Sequence, residues 1–278
     1  MTASVATPPV RKPVDPPVSP SFVNLLSSEW TKIRSLRSTL WALLVLVAVS
    51  VGFTGLFTWL IISQWSTLGE QDRQVVRLDP VSQILGAGFQ FSQLAVCVLG
   101  VLVITSEYST GTISSTLLAV PRRTPVLAAK SLVFAALIFV VTEIAAIPSI
   151  ILGAAILRPE VSVTLISTAV LRSLLAAGLY MSVLGVFAIA IGGLLRHSAA
   201  AITGIIGFVL VLAPLALLLP GAIGKHIYAY LPTIAGEQVL RTTQQDNLLS
   251  PWAGFGVFCL WTAVLMLVAG FLLKRRDA

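Results

Sequence analysis

SEYSTGTISSTLLAVPRRTPVLAAK, residues 106–130, stands between two long apolar runs. It holds one carboxylate (Glu107), many hydroxyls, Gly111, the prolines Pro121 and Pro125, and the cations Arg122, Arg123 and Lys130. Joining two lipid-embedded helices requires far less. Its local signals predict two short helices. Thr110 can cap a segment that begins at Gly111 and ends before Pro121. Thr124 can cap a second helix with Pro125 at its first position. That helix would run through Lys130 into the next apolar run. The expected result is a stiff helical elbow, able to transmit force; a loop that merely connects is the competing reading.

The flanks decide the class. Of 278 residues, 56% are hydrophobic and only 10% charged, with a mean hydropathy of +0.95. A soluble domain carries about 25% charged residues, so these few charges could not cover a soluble surface. The net charge of +7 and pI near 9.9 raise nucleic acid as a partner. The cations, however, cluster at the ends of apolar runs, which suits membrane orientation and not nucleic acid binding. Cys97 and Cys259 both lie inside apolar runs and read as inert thiols, with no disulfide framework.

Six runs can span a bilayer, since about 20 apolar residues cross the hydrocarbon. They are placed at roughly 40–62, 81–104, 131–157, 173–195, 199–219 and 252–273. The expected fold class is therefore an all-α integral membrane protein with six transmembrane helices. The first run starts too far into the chain, and is too long, for a secretory signal. Residues 1–20 hold six prolines and read as a disordered cytoplasmic tail. Between tail and first span, Phe22, Leu25, Leu26, Ile33 and Leu36 recur at helical spacing, with Glu29, Lys32, Arg34 and Arg37 mostly opposite. That pattern predicts an amphipathic helix lying in the membrane interface. With both termini in the cytoplasm, twelve of the eighteen Lys and Arg residues fall inside and six outside. This two-to-one excess sets the expected orientation.

Residues that could carry chemistry are few. GAIGKH at 221–226 has the wrong spacing for a phosphate-binding loop, and His226 replaces the hydroxyl residue. His197 and His226 have no cysteine or carboxylate cluster beside them in sequence, and no acidic pair suited to magnesium occurs. No catalytic residue, cofactor site or metal site is expected. Glu143 lies in the middle of the third span, where an ionised carboxylate costs several kcal/mol unless paired or wet. Pro148 leaves the Ile144 carbonyl without its helical donor. The two read either as a bend facing a cavity or as a structural hydrogen bond to a neighbouring helix. In the fourth span, Gly178, Ser182, Gly185 and Gly192 share one face, which lets a second helix approach closely. No span carries enough charge to demand an ionic cargo.

Residues 106–130 resemble the cytoplasmic loop of type-2 ABC transporter permeases, the half-size bacterial exporter subunits. The family pattern looks like E-x-x-x-G-T-x-x-x-x-L-x-x-P-x-x-R, with a lysine leading into the third span. Glu107, Gly111, Thr112, Leu117 and Lys130 match it, Pro121 stands one place after the pattern's proline, and Arg122 and Arg123 come slightly early after it for the usual arginine. EWTKIRSLRSTLW at 29–41 is similar to the family's interfacial helix, RHSAAAI at 196–202 to its short loop between spans four and five, and LPTIAGEQVL at 231–240 to its outer-leaflet segment. The likeness covers nearly all of 21–276, a single six-span permease domain.

The resemblance implies a plasma-membrane subunit that forms the translocation path of an ATP-driven exporter. The loop would contain the coupling helix, docked on a separate ATP-binding-cassette ATPase. A second permease, identical or paralogous, would complete the path. Glu107 would pair with a cation of the interfacial helix or of the ATPase. The alternative reading is an ATPase-independent secondary carrier or channel using Glu143. A membrane enzyme or purely structural membrane protein is a third.

Overall fold

The computed structural model describes residues 21–35, 37–112, 123–242 and 247–275. The described chain forms α1 (Phe22–Ser35), α2 (Arg37–Ser63), α3 (Glu70–Leu78), α4 (Pro80–Ser109), α5 (Arg123–Leu157), α6 (Thr168–Leu195) and α7 (Ser198–Leu217). It continues as α8 (Gly221–Tyr230), α9 (Pro232–Glu237), a 3-10 turn (Gln238–Leu240) and α10 (Pro251–Arg275). No strand occurs among the described residues. Six of these helices are long and apolar enough to cross a membrane: α2, α4, α5, α6, α7 and α10. The chain is an all-α, multi-pass integral membrane protein.

Each of these six helices overlaps one of the six apolar runs, with informative differences at the ends. The third span was expected from residue 131, but α5 begins at Arg123, so Lys130 and the third span belong to one continuous helix. The expected cap at Thr124 is not a separate start, because the helix already includes Arg123. Pro148 sits inside this helix without interrupting it. The second span was expected to end at 104, and α4 instead continues to Ser109, carrying Glu107 on its last turns. Thr110 closes α4: its backbone N–H and its hydroxyl both donate to the Ser106 carbonyl. Gly111 follows at φ +70°, the left-handed conformation that ends helices at low steric cost. The short helix expected between Gly111 and Pro121 lies, from residue 113 on, outside the described residues.

Helix α6 is the centre of the bundle, packed between α4, α5 and α10. Its small residues explain the closeness. A Cβ on Gly100 of α4 would meet Ala188 Cβ and the Gly185 carbonyl, each at 2.7 Å. A Cβ on Gly185 would meet the Phe134 ring of α5 at 2.8 Å. The glycine face noted in the sequence therefore seats α4 and α5 within one subunit. Lipid gives no hydrophobic drive between helices, so packing of this kind holds spans together.

Helix α2 shows the same rule. It buries Leu46, Ser50, Thr54 and Thr58 against the bundle and leaves Trp41, Leu44, Leu56 and Trp59 exposed. The small hydroxyl residues face inward and the large apolar ones outward, as lipid solvent favours.

At the opposite end of α4, Asp79 caps the helix and Pro80 occupies its first position. Asp79 Oδ2 accepts from the Thr242 backbone N–H at 2.9 Å, and Ser82 Oγ lies 2.7 Å from the Leu240 carbonyl. The segment after α9 is thereby pinned to the start of α4.

Candidate functional site

Four charged side chains meet where α1, α4 and α5 converge. Glu107 of α4 accepts through Oε1 from Lys130 Nζ of α5 at 2.8 Å and from Lys32 Nζ of α1 at 3.0 Å. Glu29 of α1 accepts through Oε2 from Lys130 at 2.6 Å and through Oε1 from Lys32 at 2.7 Å. Two carboxylates and two ammonium groups close a ring without net charge. Glu29 and Lys130 side chains are only 3% and 5% exposed. Charges so buried persist only when paired and hydrogen-bonded on several sides, and each here has two partners.

Local sequence explains each placement. On α1, Leu25, Glu29 and Lys32 follow helical spacing along one face. Leu25 buries against Val126 and Ala129 of α5, which presses Glu29 toward Lys130. The amphipathic pattern had assigned Glu29 to the polar face. The structure corrects this, because the pull of Lys130 outweighs the gain from wetting one carboxylate. Phe22 and Trp30 are exposed, as the apolar side chains of a helix lying in the membrane interface are. At Lys32, burial pulls the ammonium down, but its bond to Glu29 and the charge of Glu107 outweigh this and leave it above its usual range.

The ring borders a cavity of about 370 Å³ that also reaches Ser106, Thr110 and Thr112. Thr110 and Thr112 hydroxyls are 2.9 Å apart across Gly111. The site therefore gathers Glu107, Gly111, Thr112 and Lys130 from the sequence motif at one end of the bundle. Leu117, Pro121 and Arg122, and the prolines of residues 1–20, lie outside the described residues. Arg123 opens α5, and its side chain is not described either. Close by in the chain, the Arg196 guanidinium stacks over the Tyr108 ring, 5.1 Å from its centroid. Arg196 ends α6 at φ 55°, so the loop between spans four and five also reaches the end of α4.

Glu143 and Pro148 stand apart from this site. Glu143 is half-buried on α5 and abuts α6 where it bears Gly178; a Cβ there would collide with Glu143 Oε1 and with the Phe139 ring. Its Oε1 has no hydrogen-bond partner among the described residues. The carboxylate thus occupies space that a glycine vacates. The sequence reading missed a third polar cluster, in which Tyr180 Oη lies 2.8 Å from Gln93 Oε1 and 3.4 Å from Glu237 Oε1. Gln93 and Tyr180 are separated by long apolar stretches, and only the Glu237 carboxylate could have flagged it.

A family model described as ABC-2 family transporter protein matches residues 25–214. The matched region contains the whole four-charge ring and α2 through most of α7. No curated protein matches the chain. A match over more than half of the chain, on a six-span helical bundle, shows the family: the chain belongs to the ABC-2 transporters and is a membrane permease component of an ABC transporter.

Proposed function

We propose that this chain is the membrane subunit of an ATP-driven exporter, with residues 106–130 serving as its contact with a separate ATP-binding-cassette ATPase. The four-charge ring is the observation that supports this reading. Glu107 stands just before the loop and Lys130 just after it, and the two pair directly at 2.8 Å. Both also hold α1. A push on the loop therefore reaches α4, α5 and α1 together instead of being absorbed by a slack connection.

In this reading the ATPase hydrolyses ATP and the permease converts the closing of its dimer into a rearrangement of spans. A second permease copy or paralogue completes the path. The protein resides in the plasma membrane with both termini, the ring and the loop on the cytoplasmic side. Arg34, Arg37, Lys130, Arg196, Lys274 and Arg275 all lie at that end of the spans, as the excess of cytoplasmic cations requires.

Gentle purification from native membranes tests the proposal. A P-loop ATPase should co-purify, and should be lost when residues 111–123 are scrambled in a chain that still inserts. If no ATPase accompanies the intact protein, and flux persists after ATP depletion, a carrier using Glu143 replaces the exporter.

A further inference from the structure

At the end of α4 opposite the four-charge ring, a cavity of about 340 Å³ opens between α2, α4, α6 and the segment after α9. Its size lies at the low end of ligand sites, suited to a headgroup and the first part of a chain. One wall is apolar, made by Phe57, Ile61 and Phe89. It extends into an aromatic stack, with Phe91 centred 4.0 Å from Phe53 and 5.8 Å from Phe57. The other wall carries Gln93, Tyr180, Glu237 and Arg241.

The polar wall is built and held. Gln93 is 1% exposed and Tyr180 is 0% exposed. Tyr180 and Gln93 both hydrogen-bond Glu237, which leaves part of a carboxylate's acceptor capacity for a further donor. Arg241 is carried by the segment that Asp79 pins through Thr242. Among the described residues, neither Glu237 nor Arg241 lies within salt-bridge distance of an opposite charge. The cavity therefore presents a negative and a positive group that do not neutralise each other in contact. A ligand that carries both signs can make a charge-assisted contact with each.

We infer that this cavity binds a zwitterionic amphiphile, with its ammonium on Glu237, its anionic group on Arg241 and its chain along Phe57, Ile61 and Phe89. Two sources share this chemistry, a transported amphiphile and a resident phospholipid. The inference goes beyond the exporter reading and does not require a partner ATPase.

The test is equilibrium binding at pH 8, where Glu237 is ionised, to the full chain in non-ionic detergent, using three probes with one tail: dodecylphosphoethanolamine, dodecylammonium and dodecyl phosphate. The zwitterion should bind about tenfold tighter than either single-charge probe, because it alone makes both charge-assisted contacts. Glu237→Gln should abolish the preference over dodecyl phosphate and keep that over dodecylammonium. Arg241→Gln should do the reverse. Equal binding of all three probes by the unaltered chain overturns the inference, and this arm needs no variant to fold. Preferences that survive in both variants, or that vanish together in variants that remain monodisperse, overturn it too. In phosphatidylethanolamine vesicles with the partner ATPase, ATP-dependent transfer of the zwitterion between leaflets identifies a cargo site. Binding without transfer identifies a resident lipid.

Discussion

Lys130 Nζ lies 2.6 Å from Glu29 Oε2 and 2.8 Å from Glu107 Oε1, so one ammonium ties the first helix of the chain to the end of α4 and the start of α5. Its partners come from positions 101 and 23 residues away in sequence. Such a hub is strong only while complete.

Lys130→Met should therefore be among the most damaging single changes at this end of the bundle. It leaves the buried carboxylates of Glu29 and Glu107 with Lys32 as their one shared cation, at a cost of up to about 3–5 kcal/mol. Thermal unfolding of the detergent-solubilised protein measures it. The double change Lys130→Met with Glu29→Leu should recover part of the loss, because it removes a stranded charge. If the single change leaves the midpoint where it was, the ring contributes nothing to stability.

Glu107→Gln tests coupling separately from folding. The amide keeps the shape but weakens two charge-assisted bonds, so the fold should persist with a lower midpoint. ATP-driven transport should fall more than insertion or abundance. Equal transport by this variant removes Glu107 from the coupling proposal.

Gly185→Val should disrupt the crossing of α5 on α6, where a Cβ already meets Phe134 at 2.8 Å. Overpacking of this kind costs about 1–3 kcal/mol. The comparison is Gly256→Ala, a span glycine whose Cβ meets nothing within 4 Å. That change should leave unfolding unaltered.

Glu143→Gln should be tolerated under the exporter reading. The side chain fills the space above Gly178 without a hydrogen-bond partner at Oε1, so an isosteric amide keeps the packing and removes the cost of a charge in lipid. Unchanged ATP-dependent flux is the expected result. Loss of flux with an intact fold would transfer the coupling role to this carboxylate.

Stability should also respond to pH through Glu237. Burial pushes its carboxyl from 4.5 up to about 7, against the opposing charge of Arg241 and the hydrogen bonds of Gln93 and Tyr180. A raised carboxylate binds its proton more tightly in the folded state. The stability it contributes is therefore full below about 4.5 and is lost as pH rises through about 7. The unfolding midpoint should decline across that window, and Glu237→Gln should flatten the decline.

The number of spans and the charges at the margins of the apolar runs were legible because they are local or additive. Hydropathy sums over about 20 neighbouring residues, and each of α2, α4, α5, α6, α7 and α10 exceeds what a membrane crossing needs. Glu107 and Lys130 stood out as charges at the margins of apolar runs. What faces what was another matter. In lipid, both faces of a helix are apolar, so periodicity does not reveal which face turns inward. The burial of Ser50, Thr54 and Thr58, the inward turn of Glu29, and the meeting of Gln93, Tyr180 and Glu237 depend on how helices far apart in sequence rotate against one another. The sequence by itself determined a six-span permease and the loop between its second and third spans. Only the tertiary structure decided that Lys32 is the cation of the first helix that meets Glu107 and that Glu29 completes the ring, because a buried charge chooses its partner by distance in space.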